Sequence, residues 1–350
     1  MRWVNLFVAC AAAGFFCSSI VRAANDSAFQ IADWTGRAYL NQKEKRLDRC
    51  SAQMTNANKI TIIFSLDRHY LWTFELSNPT WNFPKGAAFD VTFGIGNKNY
   101  FRQRVSALDA QLVRVLLPDS VNAFEAFRRV LQLELIAGGL TSQFNMAYAN
   151  QTLDALMKCV MRYGPTPQSR AAVTAWLKSP IGPAAGASDD PEIQKETSSL
   201  ASAIISEAAL PKASSMKPGD VPAGTRGDSV WKVGDSLLTV SILPKDKVPE
   251  IGDLADLIVG GEAQKCRGDF FSGTMLDVIE TVSVARAYTN CQTQQAAASV
   301  YYLAMPRKQG GIYLLTSIAT GVEVTPLAEK NAKEIDGKVR ASITAALAKM

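Results

Sequence analysis

The sequence predicts a mainly β plus α+β protein in two parts. An N-terminal antiparallel β-sandwich-like domain comes first, followed by an antiparallel sheet with helices on one face. Three observations carry this. Apolar and polar residues alternate at period two through much of 34–147, as half-buried strands require. From 228 onward, alternating runs are joined by two helical stretches, near 251–265 and at 327–348. Between them, residues 164–227 are crowded with Pro, Gly, Ala and Ser, a composition that buries little apolar surface and reads as a linker.

The chain opens with "MRWVNLFVACAAAGFFCSSIVRA". Arg2 precedes an apolar run from Val4 to about Phe16, and small residues lead up to Ala24. That is the layout of a signal peptide, residues 1–23. The run is shorter than the roughly 20 apolar residues a spanning helix needs, and no later stretch is apolar for long enough. The sequence therefore predicts a periplasmic or secreted protein with no stable membrane span after cleavage.

The expected β-rich domain covers 29–163. Extended segments are read at 34–39, 49–54, 60–66 and 71–77, and "FDVTFGIGNKNYFRQRV" reads as a hairpin turning at Gly96-Asn97. Three further strands, at 112–116, 131–137 and 142–147, flank a helix at 123–130. A second helix at 152–163 turns Leu153, Leu156 and Val160 inward and carries Cys159. Inside the linker, Asp190 can cap a helix near 191–210, with Pro191 at its first position. The α+β domain, 228–350, reads as strands at 230–233 and 237–243, a helix at 251–265, strands at 269–274, 279–289, 300–305 and 311–319, and a final helix.

Without residues 1–23, 35 Lys and Arg face 32 Asp and Glu over 327 residues, a net charge of +3. That balance supplies no field suited to nucleic acid. Four of the six cysteines remain: Cys50, Cys159, Cys266 and Cys291. None forms a C-x-x-C, and a single histidine cannot complete a zinc site of the usual kinds, so no metal or other cofactor is expected. An even count in an exported chain reads as disulfides. Three pairings are open, and the domain split favours Cys50 with Cys159 and Cys266 with Cys291.

That histidine, His69, lies in "DRHYLWTFELSNPTWNFPKG". Tyr70, Trp72, Phe74 and Leu76 alternate at period two, so they form an inward ladder and His69 marks a strand entrance. A general base needs a nucleophile within reach, and no G-x-S-x-G elbow is present. "SSMK" at 214–217 matches S-x-x-K but lies in the linker without its companion motifs. Asp253 and Asp256 fall where a helix favours negative charge in its first turn. No catalytic residue is assigned. Two features suit binding. Arg307 and Lys308 lie in a glycine hairpin beside Tyr302 and suit an anionic group or acidic partner. Trp72 and Trp81 are aromatic anchors if either ring faces outward.

Cys50, the strand Tyr70-Leu71-Trp72, the run Asn78-Pro79-Thr80-Trp81, Lys85-Gly86, and finally Leu153, Leu156 and Cys159 together resemble an uncharacterised periplasmic domain of alphaproteobacteria. In layout it is similar to the invasion-associated locus B-like proteins. The resemblance covers about residues 30–163 and implies no catalytic residues. The order of elements in the second part resembles PsbP-like or Mog1-like α+β domains, which implies a binding or assembly module, although fold alone does not set function. The expected function is thus an exported, disulfide-stabilised binding or protein-interaction module whose partner is another protein or an envelope component. The alternatives are a hydrolase with an unrecognised site and a cell-envelope assembly factor.

Overall fold

The computed structural model describes residues 22–23, 27–41, 43, 46–95, 99–117, 120–137, 140–163, 190–210, 212–222, 225, 227–244, 250–279, 281–321, 324 and 326–349. Most of the expected signal peptide, the hairpin turn at Gly96-Asn97 and residues 164–189 of the linker lie outside them.

The N-terminal half is one antiparallel sheet. Its strands are β1 (Arg22–Ala23), β2 (Phe29–Ile31), β3 (Trp34–Asn41), β4 (Arg46–Thr55), β5 (Thr61–Asp67), β6 (Trp72–Ser77), β7 (Ala88–Ile95), β8 (Asn99–Ala107), β9 (Leu112–Val115), β10 (Gln132–Ala137) and β11 (Leu140–Asn145). The order is β1-β3-β4-β5-β6-β9-β8-β7-β10-β11, with β2 also on β3. The sheet curls: the Phe74 and Phe93 rings lie 5.3 Å apart although β9 and β8 separate their strands. Helices α1 (Ser120–Arg129) and α2 (Ala149–Tyr163) contribute to the core this curl encloses. There Phe64 meets Trp34, Phe74, Phe124 and Phe127 at 5.2–5.4 Å, the offset and edge contacts that aromatic rings favour. The ladder Tyr70, Trp72, Phe74 and Leu76 is buried throughout.

Helix α3 (Pro191–Glu207) starts as its sequence requires, with the Asp190 carboxylate accepting the Glu192 N–H at 2.9 Å and Pro191 in the first turn. The second sheet runs β12-β13-β14-β18-β17-β16-β15, all antiparallel. Its strands are β12 (Ala213–Ser215), β13 (Ser229–Val233), β14 (Ser236–Leu243), β15 (Asp269–Ile279), β16 (Val282–Gln292), β17 (Ala297–Pro306) and β18 (Ile312–Gly321). Helix α4 (Ile251–Lys265) follows β14, and α5 (Pro326–Ala348) ends the chain. β15 runs five residues past its expected end at 274, and β16 starts at 282 rather than 279. "MLDVIETVSV" carries no Gly, Pro or Asn to mark the turn between them.

The helices divide between the sheet's faces, where the sequence reading put them on one. Along β16, Arg286 reaches Asp336 of α5 at 3.5 Å. Cys291, an odd-numbered position and so on the opposite face, bonds Cys266 at the end of α4. α3 and α5 cover the first face through Leu200, Ile204, Val339 and Ile343, all buried with Leu303, Met305 and Leu315. Both disulfides are as expected, Cys50–Cys159 and Cys266–Cys291. One apolar cluster runs through both halves, from Trp34 to Ala332.

Candidate functional site

His69 sits in the four-residue turn, Arg68 to Leu71, from β5 to β6. Asp67 organises that turn: its Oδ1 accepts the His69 N–H at 2.8 Å and the Leu71 N–H at 2.9 Å, as short acidic side chains do in turns. Tyr70 takes the left-handed conformation, φ +59°, that closes the loop, and its ring is buried. The turn seats on the second half. Thr274 donates its N–H to the Tyr70 carbonyl at 2.9 Å and its hydroxyl to the His69 carbonyl at 2.5 Å. Two residues on, the Trp72 indole donates to the Ser272 carbonyl at 2.7 Å and stacks on Phe271 at 5.4 Å. The Arg128 guanidinium lies over Phe271 at 4.2 Å.

Asp256, read from the sequence as a first-turn charge of α4, is the hydrogen-bond partner of His69 Nδ1. At the other ring nitrogen, Nε2 accepts the Arg68 Nε–H at 2.9 Å. The nitrogen that would draw a proton from a nucleophile therefore faces a cation, a poor arrangement for a general base. The Asp256 hydrogen bond raises the His69 pKa above its ordinary value. Burial raises the carboxyls of Asp67 and Asp256, and pushes the Tyr70 phenol up to about 12 with help from the Asp256 charge. This cluster fastens the two halves together.

The binding candidates are dispersed. Arg307 is engaged by α3: its Nε and Nη2 donate to the two oxygens of Glu196 at 2.7 and 2.5 Å, and the Tyr313 hydroxyl donates to the same carboxylate at 2.5 Å. Lys308 beside it is exposed. The Tyr302 phenol bonds Thr289, and burial, then the Glu262 charge, holds it well above its ordinary pKa. Trp72 is 3% exposed and belongs to the seam between the halves. Trp81 is half-buried and leads a row with Phe83 and Phe89, centroids 5.4 and 4.8 Å apart. Among the described residues, no group of His, Cys, Asp and Glu could hold a metal ion.

A concave feature lies elsewhere, on the sheet face opposite the aromatic core. Alternation turns Trp34, Ala38 and Cys50 inward and leaves Arg37, Tyr39, Arg49 and Gln53 outward. Pairing carries this outward row across the sheet, Thr35 beside Gln53, Gln53 beside Ile63, Ile63 beside Glu75. These residues line an open cleft of about 630 Å³, with Phe29 at one margin and Leu112 at the other. Two polar contacts stiffen its floor. The Ser51 and Ser65 hydroxyls share a hydrogen bond of 2.8 Å, and Arg114 gives Glu75 Oε1 two bonds of 2.7 and 3.0 Å. At one end Tyr39 lies between cations, with the Arg37 and Arg49 guanidinium carbons 4.9 and 5.0 Å from its ring centroid.

The sequence did hold a signal for this cleft. "TGRAY" and "RCSAQ" each alternate, which puts Arg37, Tyr39, Arg49 and Gln53 on the solvent side of their strands. The pairing that sets Tyr39 opposite Arg49 is a tertiary fact. Comparison of the chain with protein-family models, curated proteins and solved structures finds no match.

Proposed function

We propose that this protein is an exported, disulfide-braced binding module that takes an envelope component into the cleft on the outer face of its first sheet. The observation that carries the reading is the cleft itself, about 630 Å³ with a Tyr39 flanked by arginines at one end and Glu75 at the other. That volume falls in the range that holds a drug-sized molecule, and a few placed polar groups on an apolar lining are what fix a ligand's orientation. Two disulfides fit an oxidising compartment, and among the described residues no helix is long and apolar enough to cross a membrane.

Filling the cleft tests the proposal. Gln53 is exposed and lines it, so Gln53→Trp occupies the space without entering the core. Native mass spectrometry of protein purified from the exported fraction is expected to show a retained ligand on the wild type. Its occupancy should fall about tenfold on the variant, a loss of about 1.4 kcal/mol of binding, with an unchanged melting temperature. Equal retention by both forms, or none by either, defeats the reading.

A further inference from the structure

We infer that the ligand of this cleft is a small amphipathic monoanion, with its charged head against Arg37, Tyr39 and Arg49 and its apolar body over Ile63; this rests on the binding reading above. The charges select the sign. Arg49 Nη1 already pairs with Asp48 at 2.7 Å. Arg37 uses its Nε on the Tyr39 hydroxyl at 3.0 Å and, among the described residues, has no carboxylate partner. Its remaining N–H groups form a fork whose geometry matches a carboxylate. Since the Tyr39 oxygen accepts from Arg37, its own proton is left to donate outward. Two guanidinium groups beside one ring repel each other, and an anion between them relieves that repulsion.

The far end limits the ligand to a single charge. Glu75 is 8% exposed, and its Oε1 holds Arg114. That cation is thereby committed, so a second anionic group would meet a carboxylate rather than a free cation. Glu75 lies on β6, three strand spacings or about 14 Å from β3, and its row meets β3 at Thr35, four residues or about 13 Å along the strand from Tyr39. Ile63, in the same row as Glu75, supplies apolar surface on the way. An acid with an unbranched body of about ten carbons fits within that separation and keeps its tail short of Glu75.

Decanoate, decyltrimethylammonium and decanol share a chain and differ in charge, so calorimetric titration of each into the oxidised protein at pH 7.5 isolates the head group. Decanoate is expected to bind at least about tenfold more tightly than the ammonium probe. Arg37→Gln should weaken decanoate by about the same factor and leave decanol unchanged. Failure of decanoate to bind, equal binding of the two charged probes, or indifference of decanoate to Arg37→Gln overturns the assignment. The two readings fail separately: if Gln53→Trp expels the native ligand while decanoate fails, the cleft stands and the ligand class falls.

Discussion

His69 and Asp256 are 187 residues apart in the chain and share a hydrogen bond across the seam between its halves. One comes from the turn between β5 and β6, the other from α4. Around them lie Asp67, Arg68, Tyr70 and Asp253, so the charge state of this one contact is set by groups from both halves.

As the chain's single histidine, His69 gives an isolated imidazole resonance that reports the contact directly. Its folded pKa is raised above 6.5, chiefly by Asp256. A group of this kind stabilises the fold fully below about pH 6.5, and the contribution is lost as pH rises through the raised folded value. Asp67 and Asp256, raised by burial, act in the same sense from about pH 4 upward. Stability should therefore fall as pH rises from 6 to 8. By NMR, the His69 midpoint should lie above 6.5, drop in Asp256→Asn and rise in Arg68→Gln. A wild-type midpoint at or below 6.5 would contradict the geometry.

Trp72 should behave as a residue of both halves. Trp72→Phe keeps a ring on Phe271 but strips the Ser272 carbonyl of its donor, at about 1–3 kcal/mol. Trp72→Ala also opens a cavity and should cost about 3–5 kcal/mol. Because the apolar cluster is continuous, denaturant unfolding should remain one transition in the wild type. Two separate transitions would show that the seam is only a contact.

The Arg307–Glu196 pair fastens α3 to the β17–β18 hairpin, with side chains 17% and 19% exposed. Arg307→Ala should cost about 1–2 kcal/mol and speed proteolysis at α3, because it leaves a partly buried carboxylate short of its donors. Lys308→Glu, one residue on and exposed, should stay within about 0.5 kcal/mol. Equal effects from the two would show that the pair is idle.

Of the disulfides, Cys50–Cys159 closes 109 residues and Cys266–Cys291 closes 25. On chain entropy the first contributes about 5 kcal/mol and the second about 3.5. Cys50→Ser with Cys159→Ser should therefore lower the chemical-denaturation midpoint more than Cys266→Ser with Cys291→Ser. The reverse order would place the stabilisation in local geometry instead.

What the sequence determined by itself is local and periodic. Tyr70, Trp72, Phe74 and Leu76 alternate, and all four are buried. Asp190-Pro191 announces α3, and its stripe through Leu200 and Ile204 is buried. The four cysteines pair within the halves that the linker composition separates. Where a turn lacked punctuation, as between β15 and β16, the boundary was not readable.

Tertiary structure alone decided which charges meet. Asp256 serves His69 rather than only its own helix, Arg307 serves Glu196 rather than solvent, and Arg49 comes to lie beside Tyr39 over a cleft. Periodicity assigns a side chain to a face because strands and helices repeat over a few residues. Ion pairs and clefts depend on which faces then come together, and that depends on long-range packing of the whole chain.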